Sequence, residues 1–160
     1  MIQLLHVTSE PYLSEITNLF REYADSLTFN LCFQGFEKEL ADLPGAYAPP
    51  KGLLLLALLD GNACGCGAFR PLEGDVCEMK RLYVRPASRG LGIGKMLAQS
   101  LITEARARGY RFMKLDTIET MREAISLYRS LGFRETKPYT PNPIPGAEYF
   151  ALSLREDLSG

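Results

Sequence analysis

Residues 89–95, Arg-Gly-Leu-Gly-Ile-Gly-Lys, carry residue types suited to one task, the capture of a diphosphate. Glycines at 90, 92 and 94 carry no Cβ, so phosphate oxygens can approach successive backbone N–H groups. The run opens a helical pattern in which Ile93, Leu97, Leu101 and Ala105 share one stripe. The first amides of a helix lack intrahelical acceptors and sit at the positive end of its dipole, which favours an anion. Arg89 and Lys95 add cationic side chains at the mouth.

Two common diphosphate loops do not fit. A Walker loop requires glycine five residues before its Gly-Lys pair and Ser or Thr after it. Here Arg89 and Met96 stand at those places. A dinucleotide fingerprint has G-x-G-x-x-G spacing within a parallel sheet. Gly90, Gly92 and Gly94 are instead evenly spaced, and the strands before them read as hairpins. A glycine turn that merely opens a helix is the plain alternative on this loop alone.

Nucleophilic and metal chemistry have less support. His6 is the single histidine and lies far from every cysteine in sequence, so no Ser/His or Cys/His pair is in view. Cys32, Cys64, Cys66 and Cys77 read as small buried hydrophobes rather than metal ligands or disulfides, and no metal is expected. The C-x-C spacing of Cys64 and Cys66 predicts that both point to one face of a strand. With a formal net charge of −1, no global field favours nucleic acid or an anionic membrane.

The elements that must position the run follow from periodicity. A first strand is predicted over 2–7, then a helix capped by Ser9 with Pro11 in its first turn. Leu13, Ile16, Phe20, Tyr23 and Leu27 give that helix one apolar face, and a second short helix covers 34–43. Strands over 53–59, 63–70 and 76–84 are joined by Asp60-Gly61 and Glu73-Gly74-Asp75 into an antiparallel meander. The helix after the glycines reaches about Arg108, and a strand over 111–117 completes a right-handed crossover. A helix over 120–131, a strand near 133–137, a proline-rich loop and a last strand over 148–154 follow.

The prediction is one α/β (α+β) domain over 1–160. Its mixed, mostly antiparallel central sheet has about six to seven strands, flanked by about four helices. The hydrophobic fraction of 46% and charged fraction of 23% are ordinary for a globular protein. The longest apolar run, Leu53 to Leu59, falls far short of the roughly 20 residues that span a bilayer. No leader pattern opens the chain, so a soluble, cytoplasmic protein is expected.

The run Arg-Gly-Leu-Gly-Ile-Gly at 89–94 resembles the [RQ]-x-x-G-x-[GA] signature of the GNAT superfamily of N-acetyltransferases. Arg-Leu-Tyr-Val-Arg-Pro at 81–86 is similar to that family's fourth strand. Leu-Tyr-Arg-Ser-Leu-Gly-Phe at 127–133 is similar to its tyrosine-bearing helix. The order of elements along most of the chain agrees. The resemblance implies acetyl-CoA as cosubstrate and direct attack by a primary amine on its thioester in a ternary complex.

It also implies site residues. The pyrophosphate would lie on the amides of Gly90, Leu91, Gly92, Ile93, Gly94 and Lys95, beside Arg89. The pantetheine arm would pair with the backbone of Leu82, Tyr83 and Val84, and Ala124 and Tyr128 would line the same site. Many members have Asn three residues before that alanine, whereas here Met121 stands there and cannot supply the same hydrogen bonds.

Tyr128 would stabilise the departing thiolate, although spacing alone makes it a core aromatic on one stripe with Ala124 and Leu131. The Leu82 N–H would donate to the oxyanion. Glu78, eleven residues before Arg89, is either the base for the amine or a surface glutamate paired with Lys80. On a regular strand Glu78, Lys80 and Leu82 share one face.

The acceptor wall implied by the resemblance comprises 23–36, with Tyr23, Phe29, Phe33 and Phe36, and 137–147, with Tyr139 and four prolines. This aromatic, weakly charged wall suits a small metabolite or amino-acid-like amine. An acyl-CoA-binding sensor without turnover and a protein N-terminus or lysine acetyltransferase stay open as alternatives. A homodimer is compatible with the resemblance, and no residue pattern decides it.

Overall fold

The computed structural model describes residues 1–27 and 35–155. Phe29, Cys32 and Phe33 therefore lie outside the described residues. In chain order the elements are β1 (Ile2–His6), α1 (Tyr12–Ser26), α2 (Phe36–Asp42), β2 (Leu53–Leu59) and β3 (Asn62–Glu73). They continue as β4 (Val76–Val84), α3 (Ile93–Ala107), β5 (Phe112–Ile118), α4 (Arg122–Ser130), β6 (Arg134–Glu135) and β7 (Ala147–Ser153). The described strands form one seven-stranded sheet of order β1-β2-β3-β4-β5-β7-β6, in which β4–β5 is a parallel pair and every other pairing is antiparallel.

Both faces of the sheet are covered, which explains why β2 reads as an unbroken apolar run. Leu53, Leu55 and Ala57 pack with Leu97 and Leu101 of α3, while Leu54, Leu56 and Leu58 pack with Ile16, Leu19 and Phe20 of α1. The Asp60-Gly61 turn forms as its residue types require, with φ of 51° and 86°.

Two local expectations change. The start of α1 is held by Glu10 rather than Ser9: the Glu10 carboxylate accepts from the Ser14 N–H at 3.1 Å and from the Ser14 hydroxyl at 2.8 Å. Ser9 contributes its carbonyl, which accepts from the Leu13 N–H. A carboxylate is the stronger acceptor at the positive helix end.

Cys64 and Cys66 point to opposite faces, one into the cluster under α3 and the other into the cluster under α1. The cause is a bulge: Ala57 pairs with Gly65 and Leu58 with Ala63, leaving Cys64 as an extra residue. Both thiols are free and buried.

Candidate active site

The site begins where two strands stop pairing. β4 and β5 are in register only at Val76–Phe112, Cys77–Met113 and Glu78–Lys114. Beyond that point, residues of both strands line a shared cavity instead of a ladder. A second irregularity lies on the other edge of β4. Cys66 pairs with Tyr83 but Ala68 pairs with Lys80, so Gly67 alone opposes Arg81 and Leu82.

This β-bulge sits beside the opening and is held firmly. Arg81 has φ 62°, a conformation that costs roughly 1–3 kcal/mol for a side-chain-bearing residue. Its guanidinium donates twice to Glu39, at 2.9 Å each, and lies over the Phe36 ring at 5.3 Å. Gly67 leaves the space the bulge needs, since a Cβ there would lie 3.0 Å from Leu101 and 3.2 Å from Leu82.

The bulge resets which side chains share a face, and corrects the regular alternation expected for β4. Leu82 turns toward α3 with Val84 and Met79. Glu78, Lys80, Arg81 and Tyr83 lie on the α1–α2 side, where Tyr83 joins the cluster of Phe20 and Leu56. Leu82 therefore keeps its backbone at the opening while its side chain packs away from Lys80.

Two neighbouring spaces with lining residues in common flank this backbone. The outer cleft has a volume of about 610 Å³ and lies between β4, the loop before α3 and the start of α4. Arg89, Gly90, Gly92, Ile93 and Gly94 line it with Leu82, Tyr83, Val84, Met121 and Ala124. Gly90 and Gly92 take φ of 86° and 80°, and the space in front of both is open. α3 begins at Ile93 with Gly92 as its cap, and its first internal bond runs from the Met96 N–H to the Gly92 carbonyl. The first-turn amides thus remain for an anion. Leu91, at 53% exposure, and the exposed Lys95 do not line the cleft. Arg89 does, donating to the Val84 carbonyl at 3.0 Å, and Arg122 adds a second cation that sequence reasoning missed.

The inner cavity, about 40 Å³ in volume, is lined by Lys80, Arg81, Asp116, Thr117, Tyr128 and Asn142 among others. Tyr23, Leu82 and Met121 line both spaces and mark their junction. The Thr117 hydroxyl lies 3.6 Å from the Met121 sulfur. Tyr128 packs its ring on Phe133 with centroids 5.7 Å apart. No hydrogen bond engages the Tyr128 hydroxyl among the described residues. Burial raises its pKa, with Tyr23 and Asp116 adding to the effect, so it stays a phenol.

Glu78 is neither at the surface nor paired with Lys80. It is 2% exposed, and its Oε1 accepts from Arg70 at 3.1 and 3.0 Å. Its Oε2 accepts the Tyr139 hydroxyl at 2.7 Å. Burial, reinforced by the Glu78 charge, raises the Tyr139 pKa. Glu78 does not line the inner cavity; Asp116 does. Asp116 accepts from the Asn142 amide at 3.0 Å, and Asn142 in turn accepts from the Ile144 N–H at 3.0 Å.

Sequence reasoning missed Asp116. Its one signal is a charged residue two positions after Lys114 in a strand whose residues Phe112, Met113, Leu115 and Ile118 are apolar, which puts both on the α1–α2 face. Lys80 is 7% exposed, and its pKa falls to about 8 because burial and then Arg81 disfavour the ammonium.

The model of the acetyltransferase (GNAT) family matches residues 13–133. An uncharacterized N-acetyltransferase of Schizosaccharomyces pombe is 43% identical over 144 residues, 89% of this chain and 88% of its own. The N-acetylaspartate synthetase of Homo sapiens is 35% identical over 122 residues, 75% of this chain and 39% of its own. An acetyltransferase structure from Salmonella typhimurium, solved with its cofactor acetyl-CoA, shares the fold with a TM-score of 0.70. It is 22% identical and covers 98% of this chain and 96% of its own.

Proposed function

This chain belongs to the GNAT family of acetyl-CoA-dependent N-acetyltransferases, and we propose that its acceptor is the primary amine of a small, amino-acid-like molecule, attacking directly in a ternary complex. The observation that carries this reading is the meeting of outer cleft and inner cavity at Tyr23, Leu82 and Met121, with Tyr128 and Asp116 just inside. One curated relative is named for making N-acetylaspartate, an acetylated amino acid.

The residues divide the work by position. The glycine loop and first-turn amides of α3, with Arg89, fit a pyrophosphate, and the open space in front of Gly90 and Gly92 is the room it needs. The backbone of β4 past Glu78 has no β5 partner in register, so it can pair with the amides of a pantetheine arm. Acetyl-CoA supplies the activated thioester. The Leu82 N–H, fixed by the bulge, donates to the carbonyl oxygen as charge develops there. Tyr128 keeps its proton and donates to the departing sulfur.

An alkyl ammonium with pKa roughly 10 must lose its proton before attack. Asp116, at the cavity wall, passes that proton to water. Glu78, with both oxygens engaged by Arg70 and Tyr139, holds the proline-rich loop in place. Thiol release from acetyl-CoA across a panel of amines tests the reading. Small amino-acid-like amines should drive release well above hydrolysis. If none does while acetyl-CoA still binds, the chain is a sensor and transfer is excluded.

A further inference from the structure

We infer that Glu39 of α2 is a positioning residue for acyl transfer: its grip on Arg81 orients the peptide whose N–H, that of Leu82, meets the thioester oxygen. This rests on the role of Leu82 proposed above and adds what fixes that donor.

Arg81 holds φ of 62°, a conformation that glycine reaches freely and an arginine keeps only where its surroundings enforce it. Glu39 supplies the enforcement. It accepts from the guanidinium at two points, 2.9 Å each, and the Arg81 and Glu39 side chains are 2% and 10% exposed. Phe36 and Leu40 of the same helix are buried in the cluster packed under α1, so α2 presents Glu39 from a fixed seat. A planar fork held at two points cannot turn without breaking a bond. Glu39 lines neither the outer cleft nor the inner cavity, so its effect passes through Arg81.

The peptide that follows Arg81 is held as well. The Cys66 thiol on β3 donates to the Arg81 carbonyl at 3.3 Å. Cys66 is fully buried, and burial raises its pKa, so the sulfur keeps the proton it donates. In a trans peptide the carbonyl and the next N–H point in opposite directions. The Leu82 N–H is therefore turned away from Cys66, and β5, which parts from β4 here, lies on the far side of β4 from β3.

A buried ion pair is a poor source of stability, because desolvating both charges offsets their attraction. Here the pair bears on a strained residue directly before the donor. That gives it a use which packing alone would not.

The test uses acetyl-CoA isotope-labelled at its carbonyl carbon, bound to the full chain and followed by nuclear magnetic resonance. A hydrogen bond from Leu82 should move the carbonyl resonance downfield of free acetyl-CoA. In Glu39→Ala most of that displacement should be lost, and kcat with the best amine should fall roughly 30-fold while KM for acetyl-CoA stays within about 3-fold. Two double variants remove the unpaired charge and differ only in backbone freedom at 81. Glu39→Ala/Arg81→Gly should show the displacement and a kcat at least about 10-fold above Glu39→Ala/Arg81→Ala, because glycine takes a positive φ without a clamp. These two carry the test if Glu39→Ala does not fold. Equal displacement and kcat in the two doubles would make the pair a structural staple and overturn the inference. Displacement and kcat unchanged in Glu39→Ala would overturn it too, with the Leu82 role intact. No displacement in the wild type removes the Leu82 donor itself, and both readings fall. If no amine is acetylated, transfer fails, and loss or retention of the displacement in the variants still decides the positioning.

Discussion

Replacing Lys80 by methionine should stabilise the protein at neutral pH. The ammonium is buried in β4, and its pKa drops from 10.5 to about 8 because burial and Arg81 outweigh Glu78 and Asp116. A fall of that size corresponds to about 3 kcal/mol of differential interaction. Below pH 8 the group is protonated in both folded and unfolded chains, so the full cost is present. Between pH 8 and 10.5 the unfolded chain holds a proton that the folded chain has released, so stability contributed by this group rises with pH. Above that window the cost is gone. Methionine has similar length and no charge to bury. Denaturant unfolding at pH 7 should show Lys80→Met more stable by up to about 3 kcal/mol, with the gap closing toward pH 10. A variant less stable at pH 7, or a difference independent of pH, would refute the reasoning.

Three further outcomes follow from the site. Tyr128→Phe keeps the ring packed on Phe133 and loses no hydrogen bond among the described residues. Its stability should stay within about 1 kcal/mol of wild type while kcat falls roughly 100-fold with acetyl-CoA affinity unchanged; full turnover would remove the thiolate role. Asp116→Asn should lower kcat/KM by roughly 100-fold, whereas Glu78→Gln should lower it far less; the reverse order would return the base role to Glu78. Gly94→Ala adds a methyl that meets Val84 at 3.7 Å and Leu127 at 3.9 Å, both ordinary contacts. It should leave unfolding unharmed, since alanine suits a helix better than glycine, yet weaken acetyl-CoA binding by about 10-fold in calorimetry; unchanged binding would move the ligand away from the loop.

What sequence could reveal divides along the reach of each signal. The meander over 53–84 and the helix after the glycines were legible because apolar spacing and Asp60-Gly61 act within a few residues. The glycine-rich turn that opens α3 was legible because Gly90, Gly92 and Gly94 fall within five residues of one another. The bulge at Arg81 and Leu82 was not, since it exists only against Gly67 on a neighbouring strand. That one displaced residue moved Leu82 away from the face of Lys80, and a similar bulge parted Cys64 from Cys66. Asp116 escaped notice for a related reason. Its importance depends on β4 and β5 ceasing to pair after Glu78 and Lys114, and no local pattern in β5 records where a partner strand ends. Glu78 was singled out by its distance from Arg89, but Arg70 and Tyr139, which decide its surroundings, come from β3 and the loop before β7.

The most direct measurement follows an isotope-labelled acetyl group from acetyl-CoA in a single turnover with a small amino-acid acceptor. Mass spectrometry should find the label on the acceptor's nitrogen, in equal amount to free coenzyme A, with none on the protein before the acceptor is added. Thiol released without label on the amine, or label held first on the protein, would contradict direct amine transfer at the junction of Leu82, Met121 and Tyr128.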